Sequence, residues 1–208
     1  MSRTSPTVGI VVAGGSGTRL GGADKAGLML DGRTFLDRVI GAIEGSVDEI
    51  VVVAAEGQDL PLDAAAWSVP VRLIRDSAAC QGPLAALADG LRAAAPSHPE
   101  AAVVVSCDVP KLTSAVVRLL AEAVTDADDE CDWVVPHVGG HPQVLVSAMR
   151  MTMLPAIETH LASGRRDVRG LLEKVRTRRL DEPRLRQADS SLESFRDVDT
   201  HDDLRRLS

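Results

Sequence analysis

The sequence predicts an α/β fold, a mainly parallel sheet with helices on both faces, and three observations carry the prediction. From Val8 to Val124, short β-branched or wholly apolar runs alternate with amphipathic segments of helical length. Each run stops at a turn bearing glycine or polar residues, the place where open α/β sheets bind ligands. The 208 residues are 45% hydrophobic but only 2% aromatic, so the core must be assembled from Ala, Val, Leu and Ile.

Taken in order, Val8-Gly9-Ile10-Val11-Val12-Ala13 reads as a buried parallel strand that ends at a glycine cluster. A long loop runs to about Leu30, and Thr34 to Ile43 reads as a helix with Leu36, Val39, Ile40 and Ile43 on one face. Glu49 to Ala54 and Val71 to Arg75 are the next strands, and Pro83 to Ala94 is a helix with proline in its first turn. Ala101 to Val105 is a fourth strand closing at Ser106-Cys107-Asp108, after which Thr113 caps a helix to about Val124. Trp133-Val134-Val135 and Val144-Leu145-Val146 are short strand candidates around a Gly-Gly-His-Pro turn. Ala148 to Leu161 and Asp167 to Val175 read as helical, as does Asp202 to Leu207. No repeat or low-complexity linker interrupts the chain, so one domain over 1–208 is expected.

With 23 basic against 30 acidic residues, a net charge of -7, the chain is poorly suited to holding a long polyanion. The scarcity of aromatic side chains also removes base-stacking platforms, so no nucleic-acid partner is expected. Small phosphorylated ligands stay open, because they need only a local positive site or a metal. No stretch approaches the roughly 18 apolar residues of a membrane span, and Met1 to Pro6 lacks the apolar region of a signal peptide. Cys80, Cys107 and Cys131 form no CxxC pair, which points to neither a disulfide framework nor zinc. A reducing cytoplasm is the default expectation.

After the first strand the chain reads Ala13-Gly14-Gly15-Ser16-Gly17-Thr18-Arg19-Leu20-Gly21-Gly22-Ala23-Asp24-Lys25. Glycines admit a ligand close to the backbone and expose amides, while Arg19 and Lys25 add positive charge; Lys25 is one of only three lysines in the chain. A Walker A loop is excluded because Lys25 lies between Asp24 and Ala26, and the dinucleotide fingerprint because Leu20 stands where its third glycine belongs.

This loop resembles the signature of the sugar-nucleotide-type nucleotidylyltransferases, and its Gly-Gly-x-Asp-Lys ending is similar to that of the molybdenum cofactor guanylyltransferases. Four further segments match in order: Arg75-Asp76-Ser77 with Gln81-Gly82-Pro83-Leu84-Ala85, Ser106-Cys107-Asp108-Val109-Pro110, Gly140-His141-Pro142-Gln143, and the stretch from Phe195 to Leu204. The resemblance implies a three-layer, Rossmann-like nucleotidylyltransferase fold, with a nucleotide half near 7–112 and an acceptor half near 113–208. It implies transfer of GMP from GTP to the phosphate of molybdopterin with release of pyrophosphate, and delivery to molybdoenzymes or their chaperones. Asp108 would hold Mg2+, Lys25 would meet the triphosphate, and Arg19 would meet the departing phosphates. The backbone of Val12, Ala13, Gly14 and Gly15, with Asp76 and Gly82, would line the nucleotide; an ordinary turn acid is the other reading of Asp76. On the acceptor side the resemblance places His141, Gln143 and Asp199; Arg165 and Arg169, in the basic segment 161–186 at the start of an expected helix, would suit an anionic acceptor or an acidic partner if that segment is a functional patch. Cys107 reads as a small buried hydrophobe.

Two departures bear on recognition. The asparagine that the family often carries after its second strand is absent from Ala54-Ala55-Glu56-Gly57-Gln58, and an Asn-x-Asn-Thr-Pro pattern appears as Asp197-Val198-Asp199-Thr200-His201. A cytidylyltransferase, another phosphorylated acceptor, and a non-catalytic nucleotide carrier therefore remain as alternatives. Asp126 to Glu130 resembles the start of a calcium loop, but Cys131 occupies the required glycine position and a solvated turn is expected. The segment 161–186 holds nine basic residues against four acidic, either an ordinary arginine-bearing surface or a patch for an anionic partner. His137 and His141 are four apart, but Gly139, Gly140 and Pro142 forbid a helical metal pair.

Overall fold

Side chains that alternate across one sheet build two separate apolar faces, and these fix the architecture. In a computed structural model that describes residues 5–14, 24–76, 82–126 and 131–207, the elements follow in the order β1 (Thr7–Val12), β2 (Met29–Leu30), β3 (Arg33–Thr34), α1 (Phe35–Ile43), β4 (Glu49–Ala54), β5 (Val71–Arg75), α2 (Pro83–Ala94), β6 (Ala101–Ser106) and α3 (Ser114–Thr125). Then come β7 (Trp133–Val138), β8 (His141–Pro142), β9 (Val146–Arg150), α4 (Leu154–Ala162), β10 (Thr177–Leu180), α5 (Glu182–Leu185) and α6 (His201–Leu207).

The main sheet runs β10-β7-β9-β6-β1-β4-β5, with β8 hairpinned onto β7. β1 pairs in parallel with β4 and β6, β4 with β5, and β7 with β10; β9 runs antiparallel between β6 and β7, and the short β8 pairs antiparallel with β7. The carboxyl ends of β1, β4, β5, β6 and β7 therefore meet at one edge. Val11 and Val52 face a core filled by α1 and α3, whereas Ile10, Val12 and Val53 face the core of α2 and α4. Helix starts obey local chemistry: Thr34 Oγ1 accepts from Asp37 N at 3.0 Å, and Thr113 Oγ1 accepts from Val116 N. Among the described residues no helix is long and apolar enough to cross a membrane.

The second half corrects the sequence reading. Ala148 belongs to β9, and α4 begins only at Leu154, because a strand buried on both faces shows no alternation and reads like helix. Val144 and Leu145 precede that strand rather than forming one. Of the helix expected over Asp167 to Val175, only a 3-10 turn at Arg169–Leu171 forms. There the Asp167 carboxylate sits against Gly170, where a Cβ would come within 2.1 Å of it. β10 and the β2–β3 hairpin were not expected. Trp133, fully buried, donates its indole N–H to Ser147 Oγ at 3.0 Å, which ties β7 to β9.

Candidate active site

At the carboxyl end of β1 the chain stays zipped to its neighbours. The amides of Ala13 and Gly14 both donate to Val53 O, at 2.9 and 3.2 Å, and Cys107 N donates to Val12 O at 3.0 Å. A Cβ at Gly14 would stand 3.1 Å from Ala55 N, a tight contact that a side chain could make only if the backbone at the end of β4 gave by a few tenths of an ångström. The backbone of Val12, Ala13 and Gly14 can therefore line a ligand by shape, but the two amides are already engaged and are not anion donors. Ten residues on, Asp24 caps the Lys25–Gly27 turn by accepting from Ala26 N at 3.0 Å, and the same oxygen accepts from Gln58 Nε2 at 2.7 Å.

Lys25 is thereby aimed at the end of β6. Its Nζ donates to Asp108 Oδ2 at 3.3 Å and to Asp199 Oδ1 at 2.5 Å. Asp199 reaches this point because Val198 N donates to Asp108 O at 2.9 Å, binding the segment before α6 to the turn after β6. A small apolar cluster of Leu30, Phe35, Val198 and Leu207 anchors α6 beside it. Burial opposes the Lys25 ammonium, but the Asp199 hydrogen bond and the fields of Asp108 and Asp199 outweigh it and raise its pKa. Asp197 is pushed the other way for a carboxylate: burial first, then repulsion from Asp199 and Asp108, raise its pKa. Among the described residues, Asp108, Asp197 and Asp199 thus gather near the Lys25 ammonium. Asp199, which the sequence reading places with the acceptor, stands beside Lys25 and Asp108.

Beyond β5, Asp76 N continues the strand pairing by donating to Ala54 O at 2.8 Å, which holds Asp76 at the same sheet edge. Gly82, with φ of 84°, turns the chain into α2 ahead of Pro83. Its Cβ position would lie 4.0 Å from Arg166 O, so the 163–170 loop abuts the start of α2. After β7, Gly139 and Gly140, with φ of 59° and 79°, make the β7–β8 turn that exposes His141. Gln143 N donates to Pro136 O at 2.8 Å. Arg165 is exposed in the loop after α4, and Arg169 is exposed at the start of the 3-10 turn Arg169–Leu171. Much of the basic segment is locally paired: Arg176 bidentately with Asp132, Arg186 with Glu182, and Lys174 with His160 Nδ1. Burial pushes the Cys107 thiol well up, in keeping with a packing role. Gly15, Arg19 and the remainder of the loop to Ala23 lie outside the described residues, as do 77–81 and 127–130.

Sequence reasoning missed the contributions of Asp24, Gln58 and Asp197. Asp24 carried a signal, being a capping residue directly before a short turn. The other two become visible only through contacts across the fold.

Residues 9–181 match the family described as the MobA-like NTP transferase domain. The molybdenum cofactor guanylyltransferase of Desulfosudis oleivorans is 35% identical over 198 residues, 95% of this chain and 92% of its own. The probable molybdenum cofactor guanylyltransferase of Mycobacterium avium is 33% identical over 210 residues, 100% of this chain and 98% of its own. Among solved structures, molybdopterin-guanine dinucleotide biosynthesis protein A from Archaeoglobus fulgidus superposes with a TM-score of 0.77 at 24% identity, over 96% of each chain. The 2-C-methyl-D-erythritol 4-phosphate cytidylyltransferase of Thermus thermophilus superposes with a TM-score of 0.64 at 15% identity, over 95% of each chain. These superpositions speak for the fold alone.

Proposed function

The chain belongs to the MobA-like NTP transferase family, and on that premise we propose that it transfers GMP from GTP to the phosphate of molybdopterin, releasing pyrophosphate. The observation that carries the reading is the convergence of Lys25, Asp108 and Asp199 where β1 and β6 end. Curated relatives at 33–35% identity bear the guanylyltransferase name.

The chemistry asks for positioning more than for a base. The second pKa of a phosphate monoester is about 6, so the attacking oxygen is already largely anionic near neutral pH. That oxygen bonds to the α-phosphorus as the bond from the α-phosphorus to the bridging oxygen breaks, and the electron pair leaves with pyrophosphate. The protein has to bring two anions together and meet the charge that develops on the leaving group. Lys25 serves this by presenting an ammonium whose raised pKa keeps it protonated.

Asp108 and Asp199 present carboxylate oxygens side by side at Lys25, hard donors that suit a divalent cation. Among the described residues no group of three or more acidic, His or Cys side chains is set to hold a metal by itself. That fits magnesium, which commonly takes one or two protein carboxylates and completes its shell with phosphates and water. Asp108 and Asp199 would hold it. Bound there, magnesium would supply charge neutralisation for the phosphates. Arg19 retains its assignment to the departing phosphates on family resemblance. Val12, Ala13, Gly14, Asp76 and Gly82 would bound the nucleotide, and His141, Gln143, Arg165 and Arg169 the acceptor.

The test is a panel of nucleoside triphosphates with molybdopterin and magnesium, following pyrophosphate. GTP dependence, with loss of turnover in folded Asp108→Asn and Lys25→Ala variants, is expected. Preference for CTP, indifference to the pterin, or binding without pyrophosphate release would overturn the reading.

A further inference from the structure

We infer that Gln58 is a positioning residue for the nucleoside triphosphate, one side-chain amide that sets the spacing between the backbone at Ala13–Gly14 and Lys25. The inference rests on the proposed nucleotidyl transfer and deepens it by naming what holds the two nucleotide-contacting segments in register.

Gln58 follows β4 in a tight turn. Its backbone N donates to Ala55 O at 3.2 Å, and Gly57 supplies the φ of 72° that the turn requires. The turn folds the side chain back over the sheet edge. There Oε1 accepts from Ala55 N at 2.8 Å, which fixes which end of the amide is which. The two N–H groups of Nε2 then point at Ala13 O, 3.1 Å away, and Asp24 Oδ1, 2.7 Å away. Ala13 stands directly before the glycine-rich segment, and Asp24 stands directly after it and before Lys25. A single planar group thus clamps both flanks of that segment to the end of β4. The Arg75 guanidinium pins the turn from β5 by donating to Ala55 O at 3.3 Å and to Gln58 O.

A glutamine that served only its own turn would bond within it. This one reaches across 45 and 34 positions to atoms on either side of the loop that meets the nucleotide. The Asp24 bond is charge-assisted, so it is the stronger of the two. Asp24 also caps the turn that begins at Lys25, so moving its carboxylate moves the ammonium. An ammonium displaced from the triphosphate weakens the hold on the bound ground state and on the transition state alike, a loss that appears in KM rather than in kcat. The inferred role is therefore geometric: Gln58 sets how far Lys25 stands from the pocket wall formed by Ala13 and Gly14.

Steady-state kinetics of pyrophosphate release, with direct titration of Mg-GTP in parallel, test this. Gln58→Ala is expected to raise KM for Mg-GTP about tenfold while kcat stays within about twofold and KM for the acceptor is unchanged. Gln58→Glu sets a carboxylate against Asp24 and is expected to raise KM about a hundredfold. Adding Asp24→Asn to Gln58→Glu supplies an amide donor in place of the opposing charge, and should return KM to within a few-fold of Gln58→Ala. If Gln58→Ala also lowers the melting temperature, the comparison of Gln58→Glu with and without Asp24→Asn decides, since its readout is the direction of change on adding a second substitution. An unchanged KM in Gln58→Ala, or no rescue by Asp24→Asn, overturns the inference. Tight Mg-GTP binding that Gln58→Ala weakens, in a wild-type protein that does not turn over molybdopterin, would instead overturn the guanylyl-transfer reading and leave the clamp standing.

Discussion

Lys25→Met keeps the aliphatic stem and deletes the charge between Asp108 and Asp199. A hydrogen bond to a charged group contributes about 1.5–3 kcal/mol. The Lys25–Asp108 pair, with side chains 17% and 22% exposed, keeps much of that. Asp199 is 40% exposed, so water screens its share to about 0–1 kcal/mol. A loss of about 2 kcal/mol is expected for the metal-free protein, or roughly 4–8 °C in melting temperature for a chain of this size. Because the Lys25 pKa is raised, the loss should be the same at any pH from about 6 to 9. Magnesium should then stabilise the variant more than the wild type, since Asp108 and Asp199 have lost the Lys25 ammonium, while pyrophosphate release falls on the order of 100–1000-fold. Thermal melts with and without magnesium, at two pH values, measure all of this. A variant that melts with the wild type in the absence of metal and responds identically to magnesium would refute the arrangement.

Gly90→Ala, which in most helices stabilises, should here destabilise by about 1–3 kcal/mol, because the new Cβ would lie 2.7 Å from Ile10 Cγ2 and 3.0 Å from Val53 Cγ2; urea titration measures it. Ser147→Ala strands the buried Trp133 indole N–H and should cost about 1–3 kcal/mol, whereas an unchanged denaturation midpoint would show the indole repaired elsewhere. His137 has a pKa lowered first by burial and then by Arg179. The unfolded chain therefore takes up the proton first, so the contribution of His137 is complete above its unfolded pKa of about 6.5 and is lost as pH falls below that value. His137→Gln should flatten the decline in stability between pH of about 7.5 and 5.5; a slope equal to wild type would refute the assignment.

The strands of the first half were legible because Val8–Ala13, Glu49–Ala54, Val71–Arg75 and Ala101–Val105 are short apolar or β-branched runs closed by turns, a pattern that sequence carries locally. β9 was not, since burial on both faces removes alternation and Ala148-Met149 suits a helix equally well. β10, Thr-Arg-Arg-Leu, hides its strand character because it lies at the sheet margin and places charge in solvent. At the site, Lys25 and Asp108 were legible from motif and position. Asp199 was assigned elsewhere because its approach to Lys25, 174 positions away, depends on the Val198 bond to Asp108 and on the packing of α6. Gln58 looked like a departure from a family pattern until its three bonds gave it a place.

The antiparallel insertion of β9 between β6 and β7 has a consequence for how the chain survives its own folding. β6 is apolar from Ala101 to Val105, and one of its two flanks is closed only by β9, which comes some 40 residues later. Until Val146–Arg150 inserts, a folding intermediate presents a five-residue, uncharged, β-competent rim with unpaired amides and carbonyls, the kind of surface that templates aggregation. Substitutions that delay β9 should therefore show first as loss of recoverable protein on refolding at high concentration, before any change in the melting temperature of what remains.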